Sequence, residues 1–105
     1  MNLEQENAQV LNLVQAMAGF VTPNFRIVTI EVTRKGVVLR FLFERDDPQD
    51  REEIEDIVFE FEALQMTGVR TRVDILVDNR SIHEIEVPGR IVYGRKEPTL
   101  ESSAT

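Results

Sequence analysis

An α+β sandwich is the fold class predicted here: two helices on one face of a four-stranded, mainly antiparallel sheet, in the order α-β-β-α-β-β. Two observations carry it. Apolar residues recur at helical spacing in two separate stretches, and several further stretches rich in β-branched and aromatic residues alternate between an apolar and a polar face. A third, the glycines and prolines standing between these stretches, separates them into elements. Two amphipathic helices and a sheet with one apolar face satisfy each other when stacked in two layers. A chain of 105 residues with 42% hydrophobic content has material for one core and no second. The expected domain is 1–97. Residues 98–105 are too polar and small to bury, and a disordered tail is expected there.

The first helix is expected to begin after Asn2, a good cap, with Glu4 and Glu6 in its positive first turn. Leu3, Val10, Leu13, Val14, Met17 and Val21 define its apolar stripe. Gly19 and then Thr22-Pro23-Asn24 stop it, because Pro23 disfavours helical geometry at Thr22. Two strands, 25–33 and 37–44, flank Arg34-Lys35-Gly36, where Gly36 can take positive φ, and read as a hairpin. Alternation assigns Val28, Ile30, Val32, Val37, Leu39, Phe41 and Phe43 to the core face. The other face carries Phe25, Ile27, Val38 and Leu42, too apolar for full wetting, so part of it is expected to be covered. Asp46 or Asp47 can cap the second helix, with Pro48 at its first position. Ile54, Ile57, Val58, Phe61 and Leu64 form its core stripe as far as about Met66, and Thr67-Gly68 stops it. A third strand, 69–77, turns Val69, Thr71, Val73, Ile75 and Val77 inward. Residues 78–89 are long for a connection and can hold a short edge strand around Ile85 and Val87. A fourth strand follows in "RIVYGR".

Composition excludes several functions. No apolar run approaches the length of a membrane span, and the first ten residues lack the pattern of a signal peptide, so a cytoplasmic protein is expected. With no cysteine there is no disulfide or thiolate metal site, and the single histidine, His83, leaves little for imidazole chemistry. A formal net charge of −7 argues against direct contact with nucleic acid and favours a basic macromolecular partner. No cofactor is implied.

The charge is concentrated. Residues 46–65 hold nine carboxylates and one arginine. On a helical wheel Glu52, Asp56 and Glu60 fall at i, i+4 and i+8 opposite the core stripe, with Glu53 beside them. Like charges at that spacing cost about 0.2–0.5 kcal/mol per pair. Either the stripe is a solvated face that aids solubility, or it meets a basic partner. Phe59 falls outside the core stripe next to Asp56 and Glu60; it either packs against residues 78–89 or serves as an aromatic anchor ringed by acids. Asp46, Asp47, Asp50 and Glu53 do not match a calcium loop, and His83-Glu84 has no nucleophile or second histidine beside it. Tyr93, among Arg90, Arg95 and Lys96, is expected to pack at the sheet edge or across Arg95.

The stretch "TPNFR" at 22–26, the acidic start of the second helix and "GRIVYGRKE" at 89–97 resemble small bacterial proteins encoded beside polymorphic toxins, including immunity proteins of contact-dependent growth-inhibition systems. The resemblance spans nearly the whole chain. It implies an antitoxin that binds and blocks one cognate toxin, often a nuclease, without catalysing anything. Those motifs mark the fold, and immunity surfaces vary with their toxins, so no binding residue transfers. The residues themselves supply the candidate surface: Glu52, Glu53, Asp56, Phe59 and Glu60, facing a toxin with a basic active site. The alternative is a small structural or scaffold domain that self-associates, as a homodimer for example, through Phe25, Ile27, Val38 and Leu42.

Overall fold

The computed structural model describes residues 3–66 and 68–97. Its elements follow the expected order: α1 (Leu3–Met17), β1 (Phe25–Thr33), β2 (Gly36–Phe43), α2 (Pro48–Ala63), β3 (Thr71–Val77) and β4 (Arg90–Gly94). The sheet runs β3-β2-β1-β4, and it is mixed. β1 pairs antiparallel with β2 and β4, while β3 lies parallel to β2. Parallel neighbours need a long crossover, and α2 is that crossover. The helices share one face: Leu13, Ala16 and Met17 of α1 and Ile54, Ile57 and Phe61 of α2 join Val28, Ile30, Val37, Leu39, Phe41 and Phe43 in one buried cluster.

Phe25 belongs to that cluster too, fully buried, and this corrects its assignment to the opposite face. A register shift between Phe25 and Ile27 inserts one extra residue into β1. Phe25 thereby pairs with Phe43 on the inner face, their ring centroids 4.9 Å apart, while Ile27 pairs with Leu42 on the outer one.

The helical stripes are narrower than the sequence suggests. Leu3 and Val14 are exposed, because the buried face of α1 centres on Leu13 and Ala16, and both residues fall on its flank. Gln9 takes part of the helix–helix seam, where its amide exchanges hydrogen bonds of 2.7 and 2.8 Å with Gln65. α2 ends at Ala63 with Leu64 as its C-cap, short of Met66. Leu64 and Met66 are exposed, as is Val77 at the end of β3. The expected cap at Asn2, the stop residue Thr67 and the tail from 98 onward lie outside the described residues.

Residues 78–89 connect the two edges of the sheet across the face away from the helices. No strand forms at Ile85 and Val87; a short 3₁₀ turn, Ile82–Glu84, stands in the segment instead. Thr29 and Arg40 alternate with core residues and so point outward, and both donate to the Pro88 carbonyl, at 2.7 and 3.2 Å. Leu42 and Thr29 are fully buried and Val38 nearly so. The outer face is therefore covered by the chain's own crossing segment, as its apolar content required.

Candidate functional site

Local chemistry fixes α2 firmly. Asp47 caps it, its Oδ1 accepting the Gln49 N–H at 2.9 Å, and Pro48 opens the first turn. Asp50 is buried. Its two oxygens accept from Thr22 Oγ1 at 2.8 Å and Asn24 Nδ2 at 2.9 Å, tying the first turn of α2 to the loop before β1. Asn24 also accepts from the Arg45 N–H and donates to the Arg45 carbonyl, at 2.9 and 2.7 Å.

With Ile54, Ile57 and Phe61 turned into the core, the opposite face of α2 is set by periodicity. Glu52, Asp56 and Glu60 are exposed on it, and Glu53 is half-buried at its margin. None of the four forms an ion pair among the described residues. The one arginine in the segment, Arg51, is held by Asp46 at 2.6 Å. Phe59 is 72% exposed in the middle of this face. It does not pack on residues 78–89, which lie on the other side of the sheet. Instead it forms the rim of a groove of about 510 Å³ between α2 and β3, floored by Val58, Val73 and Ile75.

Sequence reasoning passed over Glu55 and Glu62, which line that groove with Phe59. The signal was available: they stand at i−4 and i+3 from Phe59, the positions adjacent to it on a helix surface. The structure thus places the predicted acids on one flank of Phe59 and two further acids on the other.

The remaining candidates are accounted for by packing. Tyr93 packs half-buried against the core from the edge strand β4. Arg95 turns away, donating to the Pro23 carbonyl at 2.8 Å and to Glu44 at 2.9 Å. Beside it Arg26, 3% exposed, grips Glu97 through two hydrogen bonds of 2.9 and 2.6 Å and donates to the Asp78 carbonyl at 2.7 Å. Those bonds hold the Glu97 carboxyl below its ordinary range against the opposing effect of partial burial, and raise Arg26. Asp78, gripped in turn by the Arg80 side chain and backbone, is lowered to about 2. His83 is exposed in the 3₁₀ turn. Among the described residues no group of three or more His, Asp or Glu side chains is arranged to hold a metal ion.

The model of the MafI2 immunity protein family matches residues 6–97, which include all three signature stretches. The chain belongs to that family. No curated protein matches it. Among the described residues no helix is long and apolar enough to cross a membrane. The MafI2 assignment gives the protein an immunity role, one of binding a partner, and the three stretches turn out to touch one another. Thr22 and Asn24 hold Asp50, Arg26 holds Glu97, and Arg95 holds the Pro23 carbonyl. In this MafI2 protein they build the scaffold that carries α2.

Proposed function

We propose that this immunity protein neutralises a cognate toxin with a basic active-site surface, a nuclease being the class that fits best, and that it does so with the solvent face of α2. The cytoplasm, where such a toxin would act, is its place of work. One observation carries the reading: Phe59 is 72% exposed at the centre of a helix face whose carboxylates Glu52, Glu53, Asp56 and Glu60 form no ion pair among the described residues. Stability alone does not select for such a face, since an exposed phenylalanine contributes little to folding and adjacent acids repel. A basic cleft reverses both terms. Glu52, Glu53, Asp56 and Glu60, with Glu55 and Glu62 on the groove side, supply the charge that guides encounter, and Phe59 supplies apolar area for an anchor.

The self-association reading loses its surface, because Phe25, Val38 and Leu42 are buried within the chain itself. The test is kinetic. Replacing Glu52, Asp56 and Glu60 by lysine is expected to slow association with the toxin, while Phe59→Ala is expected to speed dissociation, at a cost of about 2 kcal/mol or more. Unchanged affinity in both variants would move the interface away from α2.

A further inference from the structure

On the far side of the molecule a second groove, of about 620 Å³, opens where the β1–β2 hairpin turn meets the start of β3. Its character is opposite to that of α2. Arg34, Lys35, Arg40, Arg70 and Arg72 line it, five of the twelve lysines and arginines of a chain with net charge −7, against a single acid, Glu31.

Two of the five are already engaged. Arg40 pairs with Glu31 at 2.8 Å and with Asp74 at 3.5 Å, and Arg72 pairs with Asp74 at 2.9 Å. Arg34, Lys35 and Arg70 form no ion pair among the described residues, so three uncompensated cations border this groove; Arg34 and Lys35 also border a smaller hollow on the helix side of the turn. The backbone that carries them is fixed, while the side chains themselves are exposed. The Val37 N–H donates to the Arg70 carbonyl at 2.8 Å, and Gly36 lies so close to that carbonyl that a Cβ would collide with it. Thr33 Oγ1 donates to the Gly36 carbonyl at 3.1 Å and accepts the Lys35 N–H at 3.2 Å, which fixes the turn. Cations from the turn and from the start of β3 thus flank the Val38 side of β2.

We infer that this groove binds a compact polyanion carrying two or more phosphate groups. Guanidinium groups approaching from two sides match phosphate oxygens through paired, charge-assisted hydrogen bonds. A nucleic-acid strand does not fit the setting, since a short basic groove on an acidic molecule offers no continuing track for its backbone. The groove opens mainly on the sheet face opposite the helices, so a toxin bound to α2 as proposed above would leave it accessible.

The test is calorimetric titration of the wild-type protein with inorganic tripolyphosphate, and separately with oligoglutamate, at matched ionic strength. Saturable one-site binding of tripolyphosphate is expected. It should weaken at least about tenfold in Arg34→Ala/Arg70→Ala, and likewise in Lys35→Glu, whose exposed position in the turn leaves folding intact. The remote double variant Arg51→Ala/Arg80→Ala should bind as wild type. Absent saturation, an equal loss in the remote variant, or preference for oligoglutamate would each overturn the assignment. Toxin affinity of Arg34→Ala/Arg70→Ala should be unchanged; its loss would instead make the groove part of the toxin interface.

Discussion

Arg26 occupies the extra position in β1, and its guanidinium holds three separate parts of the chain together: β1 itself, Glu97 after β4, and the Asp78 carbonyl after β3. Removing one partner of a buried, hydrogen-bonded ion pair leaves the other unpaired, so Arg26→Ala is expected to cost about 3–5 kcal/mol in denaturant unfolding. The pair also sets an acid limit. Glu97 is depressed in the folded protein from an ordinary value of 4.5, so its stabilisation is complete above that value and is lost as pH falls through the folded one. Asp78 is lowered too, to about 2, but its partner Arg80 stands two residues away in solvent, where water screens the pair, so Asp78 adds little to that loss. A stability profile measured from pH 6 downward should therefore decline below about 4.5, and Glu97→Gln should flatten part of that decline. At Gly89, φ is +104° and a Cβ would stand 3.0 Å from the Ile30 carbonyl oxygen, so Gly89→Ala is expected to destabilise by more than about 1 kcal/mol. The residues of "TPNFR" and "GRIVYGRKE" were legible as markers of fold. What they mark, a contact between distant stretches, is set by pairings that a local reading of the chain does not contain.

At the scale of elements, α2 separates two phenylalanines two positions apart. Phe61 is fully buried and Phe59 is 72% exposed, so Phe61→Ala should cost about 3–5 kcal/mol while Phe59→Ala should stay within about 0.5 kcal/mol, both read by chemical denaturation. That contrast was readable, since period 3.6 puts residues i and i+2 on opposite sides of a helix. The placement of Phe25 was not. Strict alternation assigns it outward, and only the inserted residue at Arg26 turns it inward, a shift that no local propensity announces. The direction of β3 is a further case: its alternating residues look the same whether its neighbour runs parallel or antiparallel. The groove beside Phe59 exists because α2 leaves Val73 and Ile75 of the edge strand only partly covered, and this depends on how the helix sits over the sheet.

Across the whole molecule the charges are sorted. Uncompensated carboxylates gather on α2, and uncompensated cations gather at the hairpin end of the opposite sheet face. Such separation produces a directional field that guides a charged partner during approach and is screened within about 8–10 Å at physiological salt. Association with a basic toxin should accordingly slow as salt rises, while dissociation changes little. The acidity of residues 46–65 was plain in the sequence, and so was the helix that displays it. That Glu52, Glu53, Asp56 and Glu60 form no ion pair among the described residues became visible only once Arg51, which borders the groove beside Phe59, was placed on Asp46 and other arginines in the scaffold. The most direct test of the account is the association rate of the cognate toxin with wild type and with the variant carrying Glu52→Lys, Asp56→Lys and Glu60→Lys, measured over a range of salt. Because these side chains face away from the core, the variant should fold as wild type yet associate at least about tenfold more slowly at low salt, with the salt dependence reduced or reversed. An unchanged rate and an unchanged salt slope in a folded variant would contradict the central claim that α2 is the toxin-facing surface.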